Sequence, residues 1–180
     1  MFVADLRMMQ DPVKDATRML EVWSVKTVQG SAQALLESIK AEAAAANVDM
    51  LVLKADRIFG ADHLKSALYH AKKAIDEKRN ASDSLAMETL LYASGERQLS
   101  TAIKKMSIDH NTTEVVIAKL TDGEFRPRTS WSTLPATPDV VDREALVSFG
   151  VSNDEMATLN PGKVTDLVLE KVASVDILKK

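Results

Sequence analysis

The segment from Ala61 to Met106 constrains the fold most, because its apolar residues recur with the period of amphipathic helices. Between Ala61 and Lys78 they follow i, i+3, i+4 and i+7 spacing, which predicts one long helix with a single apolar face. The residues on that face are Leu64, Ala67, Leu68, Ala71, Ala74 and Ile75. Such a helix needs a second layer of structure against which its apolar face can pack.

Two further helices are predicted in the same segment. Ser82 or Asp83 is the expected N-cap of the first, since their side-chain oxygens accept hydrogen bonds from free backbone N–H groups. Gly95 interrupts the pattern, either by ending that helix in a left-handed conformation or by letting two helices approach closely. A third helix follows, and its apolar face holds Leu99, Ala102, Ile103 and Met106.

Strand-like runs lie on both sides of this helical block. They are Phe2–Met8, Leu20–Val28 and Met50–Leu53 before it and Glu114–Leu120 after it, and a helix over Ala32–Ala46 separates the second from the third. Strands at both ends of a helical block favour an α+β fold. We therefore predict a single domain over residues 1–180, in which amphipathic helices pack on a small, mainly antiparallel sheet.

The part of the chain after Leu120 is less regular. Three prolines make residues 121–139 a Pro-rich connection, with one edge strand expected around Phe125–Trp131. Beyond it, short helices are predicted over Asp142–Phe149 and Lys163–Ser174, with a turn near Ser152–Ala157 between them.

Composition excludes several classes of site. The chain has no cysteine, so disulfides, thiolate zinc sites, iron–sulfur clusters and cysteine nucleophiles are ruled out. P-loop, dinucleotide-binding, G-x-S-x-G and H-E-x-x-H motifs are also missing from the sequence. His63 and His70 share a predicted helix, but two turns separate them by about 10 Å, which is too far for one metal ion. We interpret them as a helix-start and a surface residue, while a small enzyme that uses His63, Glu88 or Arg97 stays open as an alternative.

The sequence shows no apolar run near the roughly 20 residues that span a bilayer. Residues Met1–Gln10 lack the features of a signal peptide. A cytoplasmic protein without a membrane partner is therefore expected.

Charge is distributed unevenly along the chain. The net charge is −3, yet residues 54–105 hold ten basic and seven acidic residues, a local net charge of +3. Lys65, Tyr69, Lys72 and Lys73 cluster on the polar side of one predicted helix. An aromatic ring among lysines is typical of nucleic-acid binding, because the ring stacks on a base while the cations hold phosphate. Solvent exposure alone also produces lysine-rich helix faces, so this pattern does not decide the function by itself.

Two stretches in this middle segment resemble a known family. They are K-A-D-R-I-F-G-A-D-H-L at residues 54–64 and S-D-S-L-A-M-E-T-L-L-Y-A-S-G-E-R-Q-L at residues 82–99, followed by Ala102-Ile103. In this order they resemble the small kinase-binding subunit of the KEOPS complex, the PRPK-binding protein family. The resemblance covers residues 48–120 and includes the strand at Glu114–Leu120.

This resemblance implies a non-catalytic protein without a cofactor or metal. Family members bind the PRPK-type atypical kinase and, through it, the threonylcarbamoyl transferase subunit. The complex makes threonylcarbamoyladenosine in tRNA, and archaeal-type members recruit tRNA through its CCA end. The tRNA-binding residues implied for this chain are Arg97, Lys72, Lys73, Lys65, Tyr69, Gln98 and Gly95. The alternative is a protein-only scaffold or kinase regulator that does not bind tRNA directly.

Overall fold

The computed structural model describes residues 19–178, so the strand predicted over Phe2–Met8 lies outside the described residues. The sheet in the described part has four strands: β1 (Glu21–Lys26), β2 (Met50–Lys54), β3 (Glu114–Lys119) and β4 (Ser132–Thr133). Their order is β2-β3-β1-β4, and every neighbouring pair is antiparallel. β3 is one of the two inner strands, and its Lys119 pairs with Glu21 on one side and Met50 on the other.

Seven α-helices accompany the sheet over residues 19–178. They are α1 (Ala32–Ala46), α2 (Ala61–Asp76), α3 (Leu85–Ser94), α4 (Leu99–Met106), α5 (Arg143–Phe149), α6 (Asn153–Ala157) and α7 (Val164–Leu178). The α+β fold with a mainly antiparallel sheet is therefore confirmed.

The sheet is covered on both faces, because alternate residues of a strand point to opposite sides. On one face, Val22, Leu53 and Val116 join the cluster formed by α2, α3, α4 and α7. On the other face, Trp23 and Ile117 pack with α1 and with the ring of Trp131, in a second cluster. A third cluster lies among α5, α6 and α7 around Phe149 and includes Phe59, and the Phe149 ring contacts His63 of α2.

The prediction of an edge strand at Phe125–Trp131 is wrong, since the two-residue edge strand lies at Ser132–Thr133. The rings of Phe125 and Trp131 stack with centroids 5.8 Å apart, and both pack on Trp23. These aromatic residues therefore cover a face of the sheet instead of extending its edge.

The Pro-rich connection also caps the longest helix of the middle segment. The carbonyl oxygens of Pro135 and Ala136 accept hydrogen bonds from the N–H groups of Ala61 at 2.8 Å and Asp62 at 3.0 Å. Those N–H groups are among the four that an α-helix leaves unpaired at its start. Gly60 permits this close approach, because it has φ +90° and a Cβ there would overlap the Ala136 carbonyl oxygen.

Helix α3 begins one or two residues later than expected, with Ser84 as its N-cap instead of Asp83 or Ser82. The Ser84 hydroxyl accepts a hydrogen bond from the N–H of Met87 at 3.4 Å. At the other end of the helix, Gly95 has φ +69° and donates its N–H to the Tyr92 carbonyl at 3.0 Å. Of the two roles considered for Gly95, the structure shows the left-handed residue that ends a helix.

Candidate functional site

The turn between α3 and α4 presents two of the predicted site residues at the surface. Ser94 is fully buried, whereas Arg97 and Gln98 are exposed only a few residues later. Gln98 precedes α4 as its N-cap, but its side chain does not cap the helix. Within residues 19–178, the side chains of Arg97 and Gln98 make no hydrogen bond or ion pair. Both side chains can therefore meet a ligand without first breaking an internal contact.

The backbone before these two residues is firmly held. The Ser94 hydroxyl donates to the Leu91 carbonyl at 2.7 Å and accepts the N–H of Glu96 at 3.1 Å. A Cβ on Gly95 would lie 3.6 Å from the Cβ of Lys171 on α7. The turn is thus packed against the C-terminal helices, a neighbourhood that spacing in the sequence does not reveal.

The other predicted tRNA-binding residues, which are lysines and a tyrosine, form a stripe along α2. Lys65, Tyr69 and Lys72 follow one another at i, i+4 and i+7, so they lie on one side of the helix. Lys65 pairs with Asp62 at 2.9 Å, the Tyr69 ring meets the edge of His70, and Lys73 is exposed. We call Lys65, Tyr69, Lys72 and Lys73 the α2 stripe.

The α2 stripe and the Gly95–Gln98 turn are separate surfaces. His63 contacts α3 through the Ala93 carbonyl, next to the turn. Lys65 comes two residues after His63, about 200° further around the helix, and therefore leaves α2 on nearly the opposite side. Lys73 comes ten residues after His63, about 15 Å along the helix axis. The structure therefore groups Gly95, Arg97 and Gln98 and does not bring the α2 lysines to them.

His63 is a buried neutral residue that joins two parts of the backbone. Its Nδ1 accepts the N–H of Phe59 at 3.3 Å, so Nε2 carries the proton and donates to the Ala93 carbonyl at 2.9 Å. Burial lowers the pKa of His63 to about 4, although the bond to Ala93 acts in the opposite direction. His63 thus lies in the first turn of α2, as interpreted from the sequence, and both of its ring nitrogens bond to backbone groups.

Glu88 is also engaged internally. Its side chain is fully buried, and Oε2 accepts the N–H groups of Ala81 and Ser82 at 3.0 Å each. Ile58, Leu90 and Leu91 are buried core residues, and Leu90 also lines a cavity together with residues of α1 and β2. The two groups considered for catalysis beside Arg97 thus have structural partners.

His70 differs from the prediction of a surface residue. It is half-buried, and its Nδ1 lies 2.8 Å from Oδ2 of Asp176 on α7. The two residues are 106 positions apart in the sequence, so no local pattern points to their contact. His70 therefore serves to attach the C-terminal helix.

Within residues 19–178, the structure holds no group of three or more histidine or carboxylate side chains placed to bind a metal ion. None of the helices in that range is both long and apolar enough to cross a membrane.

Comparison with known proteins gives one family. The family described as kinase binding protein CGI-121 matches residues 25–150, more than two thirds of the chain. The match begins at Val25, near the end of β1, and ends just after α5, so it includes β2, β3, β4 and the Gly95–Gln98 turn. A comparison with curated protein sequences finds no match. The chain belongs to the CGI-121 family of kinase-binding proteins.

Proposed function

We propose that this chain is a non-catalytic KEOPS subunit of the cytoplasm, which binds a PRPK-type atypical kinase and recruits tRNA through its CCA end. The kinase links it to the threonylcarbamoyl transferase subunit, and the complex makes threonylcarbamoyladenosine in the recruited tRNA. Membership of a kinase-binding family supports the first part of this proposal. The tRNA part is supported by the surface described next.

One observation carries the proposal for tRNA. The side chains of Arg97 and Gln98 are exposed and make no hydrogen bond or ion pair within residues 19–178, on a turn whose preceding residues are buried and hydrogen-bonded. A guanidinium presented in this way can form paired hydrogen bonds with phosphate or stack on a base. The Gln98 amide supplies both a donor and an acceptor for a base edge.

The two surfaces have different parts in this proposal. The Gly95–Gln98 turn contacts the CCA end, because single-stranded bases expose the faces and edges that protein side chains read. The α2 stripe contributes phosphate contacts to another part of the tRNA, since it lies on a different side of α2. Those contacts add affinity without recognising the end.

The competing proposal is a protein-only scaffold, in which Arg97 and the α2 stripe are solvated side chains. The same family membership and the same fold support it. Only the response to RNA separates it from a tRNA-recruiting subunit.

The test is a titration of the purified protein with labelled tRNA, with and without its CCA end, at two salt concentrations. We expect salt-sensitive binding that weakens when the end is removed. Arg97→Ala should abolish the preference for the intact end. Lys72→Ala/Lys73→Ala should weaken binding of both RNAs and lower the slope of log affinity against log salt by about one to two.

Kinase binding is measured in parallel on the same variants as the control for folding. It should be unchanged in each of them. If neither RNA binds the wild-type protein, the scaffold proposal is correct and the tRNA part fails.

A further inference from the structure

The amine of Lys105 occupies a site made by three different elements. Lys105 lies in the last turn of α4, and its side chain is only 14% exposed. Nζ donates to the Ser94 carbonyl at 2.7 Å, to Oε1 of Glu96 at 3.0 Å and to the Phe149 carbonyl at 2.6 Å. It also lies 4.2 Å from the centroid of the Phe149 ring.

This set of partners suits an ammonium group. A lysine amine has three N–H donors, and here each of them meets one acceptor. Ser94 and Phe149 are the last residues of α3 and α5, where helices carry unpaired carbonyl groups and partial negative charge. Burial lowers the pKa of Lys105, and the hydrogen bond to the Glu96 carboxylate opposes that effect.

These contacts surround the turn that presents Arg97. Ser94 precedes Gly95 and Glu96 precedes Arg97, so Lys105 holds the turn on both sides of the left-handed glycine. Phe149 ties the same amine to the C-terminal cluster of α5, α6 and α7. Lys104 is the adjacent lysine, but it is exposed and makes no such contacts within residues 19–178.

We infer that Lys105 is a positioning residue for tRNA binding: it fixes the Gly95–Gln98 turn so that Arg97 is presented in its binding geometry. The inference rests on the proposed function, because it assigns Arg97 to tRNA. In this role Lys105 does not touch the RNA. Its acceptors already use all three N–H donors, so its effect passes through Arg97.

The first experiment measures the turn in the free protein. Amide hydrogen exchange is followed by NMR at Gly95 and Glu96, whose N–H groups bond to Tyr92 and Ser94. Lys105→Met keeps the aliphatic stem and removes the donors, so exchange at both amides should rise about tenfold. Lys104→Met, which removes the same charge, should leave it unchanged. Unchanged exchange in Lys105→Met overturns the inference.

A milder variant covers the case in which Lys105→Met does not fold. Glu96→Gln weakens one of the three contacts and keeps the two helix-end carbonyls satisfied. It should raise exchange at Gly95 and Glu96 by a smaller factor, about threefold. No rise in this variant, if Lys105→Met is unfolded, overturns the inference as well.

The second experiment is a double-mutant cycle on tRNA affinity. Arg97→Ala should weaken binding about tenfold and Lys105→Met about fivefold. If Lys105 acts through Arg97, Lys105→Met should weaken the Arg97→Ala variant less than about twofold. Additive losses overturn the inference, because they indicate that Lys105 meets the RNA directly or supports the whole fold.

The two experiments separate the possible failures. If the wild-type protein binds no tRNA but Lys105→Met still raises amide exchange at the turn, the proposed function fails. The conclusion that Lys105 fixes the turn then still stands. If tRNA binding depends on Arg97 while the turn is unaffected by Lys105→Met, the proposed function stands and Lys105 is not its positioning residue.

Discussion

The hydroxyl of Tyr92 in α3 donates a hydrogen bond of 2.5 Å to the carboxylate of Asp176 in α7. The same carboxylate meets His70 of α2 at 2.8 Å and the guanidinium of Arg79 at 3.2 Å. Burial alone raises the pKa of Asp176, but the hydrogen bonds from Tyr92, His70 and Arg79 outweigh it and lower that pKa. Burial and the same contact raise the pKa of Tyr92 above its ordinary range. One carboxylate thus ties α7 to α2 and α3.

We expect Asp176→Asn to lower the free energy of unfolding by about 2 kcal/mol, because it weakens charge-assisted hydrogen bonds to three groups. Asp166→Asn, on the same helix but exposed, should change it by less than about 0.5 kcal/mol. Urea unfolding followed by circular dichroism measures both variants. Equal losses in the two variants would show that the Asp176 contacts contribute little.

The buried His63 should make stability depend on pH. Its pKa is about 4 in the folded protein, against 6.5 when exposed, so the unfolded state binds the proton more tightly. Neutral His63 therefore makes its full contribution to the free energy of unfolding above pH 6.5. About 3 kcal/mol of that free energy is lost as the pH falls toward 4.

The check on this prediction is a comparison of unfolding free energies at pH 7 and pH 4 in the wild-type protein and His63→Gln. The wild type should lose about 3 kcal/mol more than the variant over this range. His110→Gln, at an exposed position, should behave as the wild type does. A parallel fall in wild type and His63→Gln would rule out His63 as the source.

Gly60→Ala should destabilise the protein by about 2 kcal/mol or more. The backbone at Gly60 has φ +90°, and a Cβ there overlaps the Ala136 carbonyl that caps α2. Gly162→Ala is the matched control, since its Cβ meets nothing within 4 Å. Thermal unfolding of the two variants measures the difference, and similar midpoints would contradict the close packing of the Pro-rich connection on α2.

Tyr69 tests the α2 stripe separately from the turn. If its ring stacks on RNA, Tyr69→Ala should lower tRNA affinity about fivefold, whereas Tyr69→Phe should keep it. The loss should be the same with and without the CCA end, because the stripe is remote from Arg97. Filter binding at fixed salt measures it, and a loss confined to the intact end would mean that stripe and turn contact the same nucleotides.

Periodicity predicted much of this fold. Leu64 and Leu68 mark the buried face of α2, and the apolar run at β3 is buried as expected of a central strand. The start of α3 was less accessible to prediction, because Ser82, Asp83 and Ser84 are all good N-caps. The choice depends on Glu88, whose carboxylate takes the N–H of Ser82 and leaves Ser84 to cap the helix.

The candidate site was predictable only in part. The resemblance to the family identified Arg97 and Gln98, because both residues lie side by side within one of the matching stretches. It could not show that the α2 stripe lies on another side of the helix, since that depends on where α3 packs. The contact of Lys105 with Phe149 joins residues 44 positions apart through a backbone carbonyl, which has no side-chain signature in a sequence.

The order of the strands has a consequence for synthesis of the chain on the ribosome. β1 and β2 emerge first, yet neither pairs with the other, because both pair with β3. The ion pair between Lys119 and Glu21 closes a loop of 98 residues, and contacts of such long range slow folding. Three of the four strands can therefore join only after β3 has left the ribosome exit tunnel. Until then two apolar strands lack their native partner, and this interval is when the nascent chain is most exposed to aggregation.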